Sequence, residues 1–190
     1  MSSIVLSGDT SGTVTISAPA IAGTNTMSLA AATGTLSPRV VSTAVATTSG
    51  TAFDYTSIPS WVTRITVMLN GVSLSGSDDV LIQIGSGSFT TSGYVSTSVA
   101  ARDGTSTVGV SSTSGFIVRA GDLNNSLSGT VTIMQIDTNT WVSSHSVKIG
   151  TAASDAGGGN VTISGSLDRV RITRTGTNTF DAGSVNIVYE

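Results

Sequence analysis

Hydrophobic and polar residues alternate in short runs along most of this chain. In "WVTRITVMLN", Ile65, Val67 and Leu69 occupy every second position. A period of two is typical of β-strands that bury one face. The same pattern marks "AFDY", "VLIQIG", "GFIVRA", "GTVTIMQID", "TWVSSHSVKI", "NVTISG", "DRVRITR" and "SVNIVYE", with a weaker run at "GYVSTSVAA". The chain is therefore predicted to form about eight to ten strands and no helix.

Turn residues separate these runs, and the large side chains are confined to one part of the chain. Every Phe, Tyr and Trp lies beyond residue 50, starting at Phe53. Strands at this spacing favour an all-β fold, a two-sheet antiparallel β-sandwich that is jelly-roll-like, over residues 51–190. The pair Asn70-Gly71 closes one run and predicts a tight turn there.

The first fifty residues have the alternation of strands but only small apolar side chains. We predict an N-terminal β arm over residues 1–37 and a polar connector over residues 38–50. Two or three such strands are marginal in water, because ordering each residue costs about 1–2 kcal/mol. The arm is therefore expected to need a partner surface. The residues predicted to make that contact are Val14, Ile16, Pro19, Ile21, Met27, Leu29 and Leu36.

Composition narrows the classes of protein to which the chain can belong. Only 10% of residues are charged, but 38% are hydrophobic, which favours a folded chain over a disordered one. The chain has no cysteine, which excludes disulfides and thiolate metal sites. The net charge of -3 argues against a nucleic-acid partner. No apolar run approaches the roughly 20 residues of a membrane helix, so membrane insertion is not expected.

The sequence offers little for catalysis. His145 is the single histidine, and it alternates with Trp141 and Val147, which favours a structural side chain over a Ser–His–acid site. No G-x-S-x-G motif precedes a helix. Aspartates such as Asp78 and Asp155 stand beside serine, which is typical of turns rather than of the paired carboxylates of a glycosidase.

Metal binding has equally weak support. Calcium sites at "SGSDDV", "RDGTS" or "SDAGGGN" are an alternative to plain turns, but no EF-hand pattern is present. The first residues, "MSSIVLSGDT", lack the basic and apolar regions of a signal peptide, so synthesis in the cytoplasm is expected. We expect a protein that is not an enzyme and that has no cofactor or metal.

Two surface features are candidates for binding. In "DRVRITR", Arg169 and Arg171 point away from the core if Val170 and Ile172 point into it. They form either a solvated outer face that discourages edge pairing or a contact with an acidic surface or an anionic glycan. Among the aromatic residues, Tyr94 is the best candidate for an exposed glycan contact, because most of the others align with core positions.

Parts of the sequence resemble proteins of tailed-bacteriophage virions. The segment "SGDTSGTVTISAPAIAGTNTMSLAAATGTL" is similar to a virion-protein segment of the type "SGxxxGxVTLxAPAxAGTxTLTLPAATGTL", with Ala30 where that pattern has Pro. The stretches "SIPSWVTRITVMLNGVS", "LIQIGSGSFTTSGY" and "SGSLDRVRITRTGTNTFDAGSVNIVYE" resemble a domain found on such proteins. The resemblance covers about two thirds of the chain and indicates a virion context rather than a chemical activity.

The resemblance implies a homotrimer on the surface of a phage particle. The expected function is capsid decoration, with the arm bound to the major capsid protein or a tail protein. The acidic surface that Arg169 and Arg171 could contact would then be that of the capsid. The chain shows no long shaft and no coiled-coil heptads, which favours decoration over a fibre. The alternative is a short tail-fibre or receptor-binding protein whose sandwich binds a host-surface glycan.

Overall fold

The computed structural model describes residues 3–7, 11–17, 37–102, 104, 107–120, 126–151 and 153–190. The chain divides into two compact units, Met1–Leu36 and Ser37–Glu190. The described residues form strands, turns and loops with no helix, which confirms the all-β prediction. Accordingly, no helix in the described part is long and apolar enough to cross a membrane.

The first unit contains an antiparallel pair of strands, β1 (Ser3–Ser7) and β2 (Thr13–Ser17). Both strands alternate Ile, Val or Leu with Ser or Thr, which suits a pleated structure. Gly12, just before β2, has a φ of 80°, a left-handed conformation that glycine adopts without strain. Two strands alone make a small sheet with little to bury.

The second unit is built from the remaining strands. In chain order these are β3 (Val40–Val41), β4 (Val45–Ala46), β5 (Phe53–Thr56), β6 (Arg64–Leu74), β7 (Val80–Ser86), β8 (Ser88–Phe89), β9 (Val95–Arg102), β10 (Val108–Ser112), β11 (Phe116–Val118), β12 (Leu127–Gln135), β13 (Thr140–Ile149), β14 (Ala153–Thr162), β15 (Arg169–Arg174) and β16 (Phe180–Tyr189).

These strands form two antiparallel sheets. The larger sheet has nine strands in the order β10-β9-β14-β13-β12-β6-β16-β3, with β4 also paired to β16. The smaller sheet has five, in the order β11-β7-β15-β5, with β8 paired to β7. The predicted two-sheet sandwich is confirmed. The consecutive meander β12-β13-β14 widens the larger sheet well beyond the four-stranded sheets of a simple jelly roll.

One continuous hydrophobic core joins the inner faces of the two sheets. Strand β6 buries Ile65, Val67 and Leu69, and β13 buries Trp141 and Val147, as their alternation predicts. Burying each such side chain contributes roughly 1.5–3 kcal/mol. The core therefore stabilises the second unit without cysteines.

The predicted connector over residues 38–50 is wrong in its middle part, because these residues belong to the larger sheet. Strands β3 and β4 both pair with β16. The Thr47 side chain is fully buried, and its Oγ1 donates a hydrogen bond to the carbonyl oxygen of Ala182 at 2.6 Å. A Ser/Thr-rich composition suggested a linker, but β-branched threonine and valine also suit an edge strand.

The turn predicted at Asn70-Gly71 is also wrong, because β6 continues through this pair to Leu74. The register of β16 against β6 shifts in this region, which marks a bulge. Gly71 has a φ of 65° and Gly183 on β16 has a φ of 92°. A side chain at Gly183 would collide with the backbone of Gly71 and Val72, so glycine is required for these strands to approach.

Candidate functional site

The β1–β2 hairpin has one apolar face. In the strand register Ile4 lies opposite Ile16, and Leu6 lies opposite Val14, so these four side chains share a face. They are 49–64% exposed. The predicted contact residues Val14 and Ile16 therefore lie in this surface, which we call the hairpin face. The other predicted arm residues, Pro19, Ile21, Met27, Leu29 and Leu36, lie outside the described residues.

The opposite face of the hairpin is mainly hydroxylated. It consists of Val5 with serine and threonine residues such as Thr13 and Thr15. The described residues of both strands carry no charge. The hairpin is therefore amphipathic in a pattern that favours an uncharged partner surface over an ionic one.

Arg169 and Arg171 lie on β15 and point outward, while Val170 and Ile172 are buried, as predicted. Arg171 is opposite Asp54 in the register, and its guanidinium donates two hydrogen bonds of 2.7 Å to the two carboxylate oxygens. Arg169 donates to both carboxylate oxygens of Asp168 at 2.7 and 3.1 Å. Both guanidinium groups also lie over the Phe89 ring, Arg171 at 4.1 Å from its centroid.

This arginine cluster is neutral as a unit, because each cation is paired with a carboxylate. The hydrogen bond from Arg169 lowers the pKa of Asp168, and the hydrogen bond to Asp54 raises the pKa of Arg171. Bidentate pairs of this kind occupy the donors that an anionic ligand would need. The cluster ties β5, β8 and β15 together at the surface. The predicted anion or capsid contact at these residues stays a prediction.

The expected exposure of Tyr94 is wrong. Its side chain is 1% exposed, and its ring packs edge-to-face against Phe116 with centroids 5.0 Å apart. Its hydroxyl accepts a 2.9 Å hydrogen bond from the backbone N–H of Ile84, and burial raises its pKa to about 12. The sequence around it, "TTSGYVSTS", looked like an exposed loop, but the tyrosine turns into the core.

A different aromatic residue is exposed. Trp61 is 40% exposed and lies beside the partly buried ring of Tyr189, with centroids 6.1 Å apart. The ion pair of Arg64 and Glu190 is at the same end of the larger sheet, since Glu190 and Arg64 also exchange backbone hydrogen bonds. The second tryptophan, Trp141, is fully buried.

A buried polar cluster connects strands of the larger sheet. Asp155 on β14 accepts hydrogen bonds from the Ser98 hydroxyl at 2.6 and 2.7 Å, and its Oδ2 lies 2.9 Å from Nε2 of His145. The backbone N–H of Arg119, just after β11 of the smaller sheet, donates to Asp155 and to Ser98 at 3.0 and 3.1 Å. The cluster therefore also connects the two sheets.

This cluster contains the residue types of a catalytic triad but not the arrangement. In a triad, the serine and the carboxylate contact different nitrogens of the histidine. Here Ser98 and Asp155 both face Nε2, Ser98 at 3.4 Å, and the buried Nδ1 has no hydrogen-bond partner among the described residues. All three side chains are enclosed, so a substrate could not reach them. The geometry supports a structural role.

The sequence did not reveal this cluster, because Asp155 stands in the glycine-rich run "SDAGGGN" that was interpreted as a turn. The run is in fact part of β14. Gly157 lies between His145 and Ser98 in the register, and a Cβ there would be 2.6 Å from Cε1 of His145. Glycine leaves the space in which the two polar side chains meet. Across the described residues, no group of three or more potential ligands is arranged to hold a metal.

Comparison of the chain with protein-family models, with curated proteins and with solved structures finds no match. A function must then be argued from the surfaces of the described residues. These are the hairpin face, the arginine cluster, the aromatic pair of Trp61 and Tyr189, and the outer faces of the two sheets.

Proposed function

We propose that this protein is a structural component of a tailed-phage virion, a homotrimeric capsid decoration protein that is attached through its N-terminal arm. The hairpin face carries this proposal. Its four large aliphatic side chains are exposed in cross-strand pairs, on a sheet in which β1 and β2 are the two described strands.

An isolated hairpin of this kind is marginally stable in water. Covering the hairpin face would contribute on the order of 3–6 kcal/mol, because each aliphatic side chain is already about half covered and full burial is worth roughly 1.5–3 kcal/mol. A partner surface therefore offers the arm the stability that its own residues lack. A protein that displays such a face is suited to docking on an assembled shell.

The similarity of "APAIAGTNT" and "AAATGTL" to segments of phage virion proteins supports a partner on the virion. Major capsid protein is the partner that decoration requires. Each attached copy that bridges neighbouring capsomers adds binding free energy to the closed shell, so the shell is stabilised by mass action. The sandwich then projects outward.

Immunogold labelling of whole virions with an antibody against residues 37–190 tests the location. Grains over the entire head are expected. Grains confined to the tail would move the protein to a fibre, and the absence of label would contradict the virion proposal altogether.

Attachment through the hairpin face is tested by binding of purified variants to undecorated particles. Leu6→Asp places a charge on the hairpin face, and Thr15→Asp places the same charge on the opposite face. We expect Leu6→Asp to lose binding and Thr15→Asp to retain it. Equal binding of the two variants would contradict attachment through this face.

A short tail-fibre or receptor-binding protein is the second candidate, and the exposed Trp61 beside Tyr189 favours it. Aromatic rings with polar groups beside them are suited to stacking on sugars. Binding of host-surface glycan would change the fluorescence of Trp61, whereas the buried Trp141 supplies a constant signal. Trp61→Phe should abolish the change, and a glycan array without hits on folded protein would remove this candidate.

A further inference from the structure

The outer faces of the two sheets differ in charge. On the smaller sheet, the outward residues include Asp54 and Arg171, which form an ion pair, and Arg169, which is paired with Asp168. On β9, β10, β12, β13 and β14 of the larger sheet, the outward residues are almost all Ser, Thr, Gly, Ala or Val. Among these described outward residues, Lys148 is the one charged side chain. We call this surface the uncharged face.

The uncharged face also exposes aliphatic residues. Val95 is 65% exposed, and Val99 on the same strand and Met134 on β12 are nearly half exposed. Val95 and Val99 lie near the β10 edge. Met134 lies across β13 and β14 from them, at the border of the uncharged face, where the exposed Arg64 of β6 is its register partner. Surfaces that stay in water usually place charged side chains among such residues. The contrast with the smaller sheet indicates that one face meets solvent and the other is covered.

The area of the uncharged face is sufficient for a specific interface. The five strands have 8, 5, 9, 10 and 10 residues. At about 3.4 Å per residue and about 4.8 Å between strands, they give about 700 Å² per molecule. A standard protein interface takes about 800 Å² from each partner. Small side chains keep the face flat, and two flat sheets pack at about 10 Å.

We propose that the uncharged face is covered by a second copy of this chain. A second copy presents the same flat, uncharged surface, so its approach leaves no charge buried without a partner. Lys148 is exposed and lies one residue from the end of β13, where its ammonium group can stay in water at the rim. A contact of this face with the same face of a second copy is isologous and joins copies in pairs. It is therefore an interface additional to the one that would hold the proposed homotrimer, and this inference goes beyond the proposed function.

Light scattering on the purified full-length chain tests the proposal with two matched variants. Thr130→Glu adds a carboxylate to the uncharged face, and Thr56→Glu adds one to the outer face of the smaller sheet; both threonines are exposed on strands. We expect Thr130→Glu to have half the mass of the wild type and of Thr56→Glu, because each contact through the uncharged face joins two copies. A monomeric wild type, or an oligomer that Thr130→Glu leaves intact, would overturn it.

A second measurement does not depend on disrupting the assembly. Because the chain has no cysteine, Ser144→Cys and Thr56→Cys each introduce one thiol. In the folded single-cysteine variants, the thiol at position 144 should react with a thiol reagent at least roughly tenfold more slowly than the thiol at position 56. Equal rates would overturn the covered face. If the protein associates through this face but immunogold labelling finds none on virions, the proposed function is refuted and this inference stands. If virions are labelled but the thiol at position 144 reacts as fast as the thiol at position 56, this inference is refuted and the proposed function stands.

Discussion

Nε2 of His145 lies 2.9 Å from Oδ2 of Asp155, and both side chains are enclosed in the larger sheet's inner face. The carboxylate is held by the Ser98 hydroxyl and by the backbone N–H of Arg119 as well. A buried carboxylate that accepts several hydrogen bonds contributes to stability through all of them. Its removal leaves buried donors without this acceptor, which costs free energy.

Replacement of Asp155 by alanine should therefore destabilise the protein severely. We expect Asp155→Ala to lower the free energy of unfolding by about 3–5 kcal/mol, because it removes the buried partner of His145 Nε2 and of the Ser98 hydroxyl and leaves the Arg119 N–H with Ser98 alone. Urea denaturation followed by tryptophan fluorescence measures the change. The neighbouring exposed Ser154→Ala is the control, with an expected change within about 0.5 kcal/mol. A loss below about 1 kcal/mol at Asp155 would show that the cluster is not important for stability.

Gly157 should tolerate no side chain. A Cβ at this position would lie 2.6 Å from Cε1 of His145 and 2.8 Å from Cα of Ser98, so Gly157→Ala should cost about 1–3 kcal/mol or more. Gly109→Ala is a matched control on β10, since its Cβ would meet Val99 Cγ2 at an ordinary 3.6 Å. Thermal unfolding of both variants measures the difference. Similar melting temperatures would contradict the tight packing around His145.

Tyr94 should make the stability depend on pH in the alkaline range. Burial raises its pKa from 10.0 to about 12, so its neutral form is favoured in the folded state. The resulting stabilisation is fully present below pH 10 and is lost as the pH rises towards 12, because the unfolded chain ionises first. Tyr94→Phe should lose about 1 kcal/mol at neutral pH with the hydrogen bond to Ile84.

The pH effect is measured by comparing urea denaturation at neutral pH and at about pH 11. We expect the gap between the wild type and Tyr94→Phe to shrink at the higher pH. Tyr55, whose pKa burial also raises, is present in both proteins and cancels in the comparison. A gap of constant size would indicate that Tyr94 does not ionise differently in the two states.

The ion pair of Arg171 and Asp54 should contribute only modestly to stability, because both side chains are about one third exposed. A double-mutant cycle with Arg171→Gln and Asp54→Asn should give a coupling of about 0.5–1 kcal/mol that decreases with added salt. The stacking of Arg171 on Phe89 survives in Asp54→Asn but not in Arg171→Gln, so Arg171→Gln should be the more damaging single change. A coupling of zero would show that the ion pair adds nothing to the free energy of unfolding and only fixes the positions of the two side chains.

The alternation of side chains was sufficient to predict the strands and the inner face of β13. Trp141, His145 and Val147 occupy every second position, and period two places them on one side of any strand. The neighbours of His145 could not be predicted in this way. Asp155 and Ser98 meet it only because β14 lies between β13 and β9 in a particular register, which no local pattern encodes.

The predicted turns at glycine residues and the predicted exposure of Tyr94 were wrong for related reasons. Gly71 and Gly157 suggested turns, but both lie inside strands. Gly71 has a φ of 65° in β6, and Gly157 permits a close approach of β14 to its neighbouring strands. Tyr94 stands among small polar residues that are typical of a loop, yet its hydroxyl reaches Ile84 on the opposite sheet. The composition of a segment indicates which local conformations it favours, whereas the burial of its side chains depends on the order of the strands in the sheets.

The position of β16 has a consequence for synthesis of the protein. This strand lies between β6 and the early strands β3 and β4, so the larger sheet joins residues near 40 to residues near 190. The amide of Asn186 reaches the carbonyl of Ser42, 144 positions away. Contacts so remote in sequence give a high contact order and slow folding. During synthesis β6 therefore has an open edge until residues 180–189 have been added, so the larger sheet is completed only after β3 to β15 have all been made.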